Sequence, residues 1–479
     1  MKAVLWGVGA VVLGVAGVLI ALSIPKSAGL LEIVSSTERG VLIRDVRLFD
    51  GVSAELELVA GVRLEGERIT AIYRDMIPAD LDGFVVEGRD RVLMPALIDF
   101  HVHFGMSDGM PVWATPPPVL PDLARQHEAM LYSGVTSVVE GSINPLAPFI
   151  RPPAFAPRSF KTGKQISALE GHPIPMLREL VPWPVSEWFA DQLALEVSSF
   201  SEVVDEVEEI AGSDIDYLKV IFDDSIPWKS PRLSAADVGK VVDIARDHGK
   251  PVFVHVGDPN EAVDAVEAGA TVLMHTPYVG TFSSSQLNRL WEHQVPVVTT
   301  SQIWLWIMRG TSEAPAFTDL ETFLMPEEVA ATYRTPRDEA LAAYSSVNFD
   351  LSYVGRIPIF DSVLKDNVLT LYKAGVPIIA GTDTGVPGLT YGASLIFELQ
   401  RLQGMGIPPI DVLKSATSVP GRILGSEDMP LGVVQEGAAA ELILLPGDPL
   451  TDVSVLQELD LIITQGQVLR RAQPLSTSR

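Results

Sequence analysis

The sequence predicts an α/β protein: a (β/α)8 TIM barrel carrying a small composite β-sandwich domain formed from its N- and C-terminal segments. Three observations predict it. Between residues 93 and 425, short apolar runs alternate with amphipathic helical stretches, the texture of parallel strands joined by crossovers. Strand-like runs broken by turn residues flank this region at 40–92 and 426–472. Six side chains able to bind a metal, His101, His103, Lys219, His255, His275 and Asp383, fall at the ends of the central runs. A parallel barrel gathers its strand ends onto one face, so groups remote in sequence can surround one point.

Residues 1–30 read as a transmembrane anchor or signal segment. From Ala3 to Ile24 no residue is charged, a run of 22. At roughly 1.5 Å per residue this makes about 33 Å of helix, enough to cross a bilayer core. A cleaved signal has a shorter apolar core of about 7–15 residues. The expectation is therefore a membrane-anchored protein with an extracytoplasmic catalytic domain. Export after cleavage at Ala21-Leu22-Ser23 is the alternative.

The flanking runs VLIRDVRLFDG, LELVAGVRLEGERITAIYRD and GFVVEGRDRVLMP share a texture with LGVVQEGAAAELILLPGD and DLIITQGQVLR near the other end. These stretches are expected to pair into one domain that brackets the barrel of residues 93–425. The barrel strands are expected at Leu93–Phe104, Thr136–Glu140, Ile166–Glu170, Tyr217–Phe222, Pro251–Val256, Thr271–Thr276, Val295–Thr300 and Pro377–Thr382. Among the helices, Ala235–His248 closes on Gly249 and Glu261–Ala268 on Gly269, as glycines just past a helix end should. The long connection Ile303–Asp361 carries Trp304, Trp306, Phe317, Phe323, Met325 and Tyr333, and is expected either to roof the site or to pack on itself.

In a chain of 479 residues, a formal charge of −26 argues against nucleic-acid binding, which would want a basic face. It contains no cysteine, so thiolate metal sites and disulfides are excluded and any ligands are nitrogen and oxygen. His101 and His103 sit in LMPALIDFHVHF, where positions i and i+2 of a strand project to one side and two imidazoles can grip one cation. Lys219 lies in DYLKVIF among apolar neighbours. Burial there depresses a lysine pKa, and a neutral amine can add carbon dioxide to become a bridging carbamate. His255 and His275, in PVFVHV and TVLMHT, end adjacent strands. Asp383 follows IIAGT at a strand-to-loop junction, where a carboxylate can bind metal and serve as general base, then general acid. His172, in the loop LEGHPIP on the face of the ligands, is read either as a substrate contact that steadies an oxyanion or as an ordinary loop histidine. His127, His248 and His293 are read as structural. Tyr217 is expected to point away from Lys219 into the helix layer.

With these residues placed, the chain resembles the amidohydrolase superfamily, and within it the imidazolonepropionase-like and Xaa-Pro dipeptidase group of metal-dependent hydrolases. MPALIDFHVHF, GVTSVVEGS, LEGHP, DYLKVI, VHVGDPNEAVDAVEAGATVLMHT and AGVPIIAGTDTGVPG carry the resemblance. It implies two divalent metal ions, zinc being the expected metal. One would be held by His101, His103 and Asp383, the other by His255 and His275, with carboxylated Lys219 bridging. It also implies that His172 touches substrate. The chain departs from the family pattern at Val256-Gly257, at Tyr391-Gly392 and in MHT, which affects substrate contacts more than ligands.

The function expected is hydrolysis of an amide, in a dipeptide-like or cyclic small molecule, by a bridging hydroxide at a binuclear site. The alternatives are a mononuclear hydrolase, deaminase or lactonase on the same fold, or a catalytically silent membrane-anchored binding protein.

Overall fold

The computed structural model describes residues 25–106, 108–110, 121–145, 147, 150–180, 183–225, 230–304, 317–334 and 357–472. Six strands come first: β1 (Leu31–Ser36), β2 (Val41–Leu48), β3 (Glu57–Glu65), β4 (Arg68–Tyr73), β5 (Phe84–Glu87) and β6 (Val92–Pro95). The central strands are β7 (Leu97–Val102), β8 (Val135–Glu140), β9 (Arg158–Phe160), β10 (Gln165–Ala168) and β11 (Ala194–Val197). They continue through β12 (Leu218–Ile221), β13 (Val252–His255), β14 (Val272–Leu273), β15 (Val297–Val298) and β16 (Ile378–Ile379). The last three are β17 (Leu442–Leu445), β18 (Leu461–Thr464) and β19 (Gln467–Arg471).

Both chain ends contribute to one nine-stranded sheet of order β1-β19-β18-β17-β6-β2-β3-β4, with β5 paired to β2. Where two facing sheets are expected, one continuous hydrogen-bonded sheet forms. It bends back on itself, because the outermost strand β4 bonds to the segment just before β17. The Ile69 N–H donates to the Ala438 carbonyl at 2.9 Å and the Gly437 N–H to the Ile69 carbonyl at 2.8 Å. Val41, Ile43, Leu64, Ile69, Leu93, Leu442, Leu444 and Val468 fill its core, each out of contact with water. The sheet reaches the site directly, since β6 ends at Pro95 and β7 begins at Leu97. The intervening Ala96 N–H is held by the Glu441 carbonyl at 2.9 Å, so both chain ends fix the start of the first site strand.

The central strands are parallel. One sheet runs β11-β10-β12-β13-β14-β15-β16 and another β7-β8-β9. The expected third strand, Ile166–Glu170, forms as β10 and pairs with β12, whereas β9, which pairs with β8, was not read from the sequence. The strand β11 at the outer edge was not read from the sequence. The two sheets touch on both sides: a parallel bridge joins Thr162 to Tyr217, and another joins Val102 to Thr384. Around the second, the His103 N–H donates to the Thr384 carbonyl at 2.7 Å and the Asp383 N–H to the His101 carbonyl at 2.8 Å. Phe100, Val139, Tyr217, Phe253, Val272, Met274, Val298 and Ile379, drawn from seven different strands or their ends, pack into one cluster below the metal-type side chains. Tyr217 is in this cluster rather than in the helix layer. The sequence reading had the parity wrong: residues 217 and 219 are two apart and share a face.

The helices end where their chemistry dictates. Ala235–Asp247 has Ser234 as N-cap and Gly249 at φ +66°, just past the capping His248. The helix Pro259–Glu267 opens on a capping box in which Asp258 Oδ1 accepts the Glu261 N–H at 3.0 Å. Glu261 returns an oxygen to the N–H groups of Asp258 at 3.1 Å and Gly257 at 2.7 Å. That box fixes the turn immediately after His255.

His127, on the helix Leu123–Tyr132, stacks on Phe104 at 3.8 Å and bonds the Leu123 carbonyl at 2.7 Å. Burial pushes its imidazolium down to about 4. The unfolded chain takes up a proton near 6.5 while the fold does not, so this residue makes stability fall as pH drops from 6.5 towards 4. The full shift corresponds to about 3 kcal/mol. Denaturant unfolding at pH 7 and pH 4.5 should therefore show His127→Phe losing less stability on acidification than the unaltered protein. Parallel losses in the two proteins would rule this out.

Two expectations fall wholly or partly outside the described residues. Of the 303–361 connection, 305–316 and 335–356 (with Trp306) lie outside them. The described part forms the helices Asp319–Leu324 and Glu327–Thr332, packed on the loop after β7. Arg125 donates to the carbonyls of Leu324 at 2.8 Å and Phe323 at 2.7 Å, and the Tyr333 hydroxyl to that of Gly109 at 2.7 Å. The apolar run Ala3–Ile24 also lies outside the described residues. The expected membrane localisation is corrected: among the described residues no helix is long and apolar enough to cross a membrane.

Candidate metal centre

Five imidazoles form a continuous arc at the ends of the central strands. Taken in order His103, His101, His275, His255 and His172, successive ring centroids lie 5.1, 4.7, 4.3 and 5.3 Å apart. Asp383 faces the first part of the arc. Its Oδ1 is 3.4 Å from His101 Nε2 and 3.1 Å from His103 Nε2, and its Oδ2 is 4.0 Å from His275 Nε2. The structure therefore brings together His101, His103, His255, His275, Asp383 and His172. Lys219 ends in the same buried space, close enough to Asp383 for the carboxylate to act on its charge.

Local structure explains how each side chain arrives. His101 lies on β7, which carries a register shift between Asp99 and Val102, and His103 follows its last residue. On β12 and β13, Ile221 pairs with His255 and Lys219 with Phe253. His275 and Asp383 follow β14 and β16 by two and four residues. Asp383 adopts φ +62°, a left-handed conformation disfavoured for a non-glycine residue and of the kind found where a site over-determines its backbone. Asp99 holds this loop to β7. Its carboxylate accepts the Thr382 N–H at 3.0 Å, the Thr382 hydroxyl at 2.7 Å and the His101 N–H at 3.2 Å. Burial pushes the Asp99 carboxyl up to about 7.

One nitrogen of each of four rings is engaged by the protein. His101 Nδ1 donates to the Met274 carbonyl at 3.2 Å, which leaves a lone pair on Nε2. His103 Nδ1 meets Ser142 Oγ at 2.7 Å, and His275 Nδ1 meets Thr300 Oγ1 at 3.0 Å. His255 Nε2 donates to Asp223 Oδ2 at 3.1 Å. Orienting bonds of this kind fix which nitrogen is free to bind a metal. Burial, and after it the charge of Lys219, hold the His101 imidazolium well below its ordinary range, and burial with His255 does the same for His275. His172 is pushed down to about 3 by burial and by His255, so it is neutral and has one N–H to donate.

This donor set fits a cation. His101 Nε2 and His103 Nε2 are 3.1 Å apart, and both face a carboxylate oxygen. Lone pairs converging on an anion repel one another unless positive charge sits among them. His275 Nε2, Asp383 Oδ1 and Lys219 Nζ are buried and hydrogen-bond to nothing. Burial brings the Lys219 ammonium down to about 7, against the pull of Asp383, so a large share is neutral amine near pH 7.

The sequence reading missed Asp223, Ser142, Thr300 and the Met274 carbonyl. Asp223 had the same signal that singled out Asp383, a carboxylate at the loop end of a site strand. His127 and His248 lie apart from the arc, the latter bonded to Glu208 at 2.7 Å. His293 ends the helix Ser284–His293.

Comparison with known proteins gives a family and a shared fold. Ochratoxinase of Aspergillus niger is 36% identical over 99 residues, which is 20% of this chain and 20% of that protein. The matched part of the chain thus spans a fifth of that relative's length. Three solved structures share the fold at low identity. A Xaa-Pro dipeptidase with methionine in its active site has a TM-score of 0.68 and 22% identity, over 90% of this chain and 99% of that one. Molinate hydrolase has a TM-score of 0.67 and 17% identity, over 91% and 95%. The A. niger ochratoxinase structure has a TM-score of 0.64 and 20% identity, over 90% and 95%. The amidohydrolase family model matches residues 92–469, which takes in every residue of the arc, and the chain is an enzyme belonging to that family.

Proposed function

We propose that the protein is a metal-dependent hydrolase of amide bonds, acting on a dipeptide-like or cyclic small-molecule substrate. The observation that carries this reading is the arc of imidazoles closed by Asp383 and by a buried lysine amine that hydrogen-bonds to nothing. In this reading β7, β8, β10 and β12–β16, with β9 between β8 and the Thr162–Tyr217 bridge, close as a (β/α)8 barrel through that bridge and the Val102–Thr384 bridge. Residues 93–425 then form the catalytic domain, and 40–92 with 426–472 the accessory one.

His101, His103 and Asp383 would hold one divalent ion, and His255 and His275 a second. The Lys219 amine, by taking up carbon dioxide and releasing a proton, would supply a carbamate as a further oxygen ligand. When bound, the ions, expected to be zinc, acidify water and polarise the scissile carbonyl. Asp383 accepts the proton of the attacking water and passes it to the departing nitrogen. The His172 N–H donates to the carbonyl oxygen as negative charge develops there, an effect of about 2.7–4 kcal/mol in comparable sites. A one-ion reading rests on a narrower observation: His101, His275 and Asp383 have ligand atoms all within 4.8 Å of one another.

Metal analysis joined to turnover tests both. The purified protein should carry two equivalents of zinc and hydrolyse members of a panel of N-acyl amino acids, dipeptides and cyclic amides, with chelation abolishing turnover. Lys219→Met, which fills the same apolar space without an amine, should drop the metal to one equivalent or less and lower kcat/KM by at least about 100-fold. One equivalent in both proteins favours the single-ion reading. Lactone cleavage without amide cleavage, or no metal at all, would overturn the proposal.

A further inference from the structure

Asp223 lies outside every motif that carries the family resemblance, yet its carboxylate stands beside the arc with no side-chain exposure. Its Oδ2 accepts His255 Nε2–H at 3.1 Å and the Tyr278 hydroxyl at 3.0 Å. Its Oδ1 accepts the Ser225 N–H at 2.6 Å. Backbone is cleared for it as well: a Cβ on Gly257 would stand 2.5 Å from Asp223 Oδ1. Tyr278 is itself held, its N–H donating to the Gly257 carbonyl at 3.0 Å and its ring packing on Trp304 at 4.9 Å. Three donors converge on these two oxygens, so the carboxylate is an acceptor throughout, and an acceptor on Nε2 dictates which ring nitrogen of His255 carries the proton.

We propose that Asp223 is a positioning residue of the centre: braced by Tyr278, it fixes His255 as the Nε2–H tautomer and presents the Nδ1 lone pair to the ion shared with His275. The inference rests on the two-ion reading and deepens it. Carboxylates in this position also raise the basicity of the ligand nitrogen. Loss of such a partner typically weakens metal binding about 10–100-fold. The effect is confined to the His255 side, because the rings of His101, His103 and His275 are oriented by Met274, Ser142 and Thr300.

The test is zinc affinity, measured equivalent by equivalent against a chromophoric chelator, on the full chain. In Asp223→Ala one equivalent should weaken about 10–100-fold and the other should not change. Asp223→Asn, which keeps an acceptor oxygen, should recover part of the loss. Asp224→Ala, at the exposed neighbour, should match the unaltered protein. Where Asp223→Ala does not fold, Tyr278→Phe removes only the bracing hydroxyl and should weaken the same equivalent by a smaller factor. Nitrogen-15 spectra of the histidine rings give an independent readout: the signal with Nε2 protonated and Nδ1 free, present in the unaltered protein, should be lost or mixed in the variants. Two affinities unchanged within threefold, in a protein that does bind two equivalents, would overturn the role of Asp223 while leaving the two-ion reading intact. Fewer than two equivalents in the unaltered protein would instead overturn that reading.

Discussion

Asp383→Asn is expected to lower kcat/KM by about 10²–10⁴-fold while leaving the folded protein close to its original stability. The two halves of this expectation have separate causes. The carboxylate reaches His101, His103 and His275 within 4.0 Å and, in the proposed mechanism, is the acid that exchanges a proton with both water and leaving group. An amide keeps the shape and one acceptor oxygen, but it carries no charge and cannot take a proton near neutral pH. The backbone at this position has φ +62°, a conformation in which asparagine is as much at home as aspartate. Alanine there would add strain to the loss of chemistry, which makes asparagine the cleaner substitution. Steady-state kinetics with metal analysis on the same sample separates the effects, since loss of an ion and loss of the proton acceptor both lower the rate. A variant that turns over like the original, with its metal intact, would remove Asp383 from the proton transfer.

The site was readable to the extent that its residues obey local rules. His101 with His103, His255, His275 and Asp383 stand where apolar runs give way to loops, and parallel strands carry such positions to one place whatever their separation in sequence. Lys219 was legible for a different reason: an ammonium in an apolar run has to be paired, neutralised or modified. The partners that orient the rings were not legible. Ser142, Thr300 and the Met274 carbonyl are ordinary groups until the fold sets them 2.7 to 3.2 Å from an imidazole nitrogen. Asp223 is an intermediate case, with the right position and chemistry but no partner visible from sequence. Tyr217 was misplaced by an error of parity, not by any ambiguity in the chain. For the fold, alternation located the strands of both ends except β1, which lies before residue 40, but not how they pair. The bonds of β4 to residues 437–439 make one bent sheet out of what reads as two.

Gly141→Ala is the second substitution expected to have a large effect, and it tests the metal centre without touching a ligand. Gly141 follows β8, with its N–H bonded to the Val102 carbonyl at 2.7 Å and its carbonyl to Gln165 at 2.8 Å, so its backbone is fixed from both sides. A Cβ there would stand 2.7 Å from His101 Nε2, 2.7 Å from His103 Cε1 and 2.8 Å from His103 Nε2. These are the atoms that face Asp383. The rings cannot swing aside freely, because Met274 holds His101 and Ser142 holds His103 by their other nitrogens. The methyl group therefore competes with an ion for the same space. Forcing it in should cost about 1–3 kcal/mol of stability, the usual range for an overpacked interior. The displacement of two ligand nitrogens should lower metal occupancy and reduce kcat/KM by about 100-fold or more. Circular dichroism and thermal unfolding would show a folded protein, and metal analysis would show which ion is lost. The ion on the His101–His103 side should go first, whereas Asp223→Ala should weaken the opposite one, so the pair of variants divides the centre into its two halves. Full metal occupancy in a folded Gly141→Ala protein would mean that the ions lie away from the nitrogens that this glycine faces.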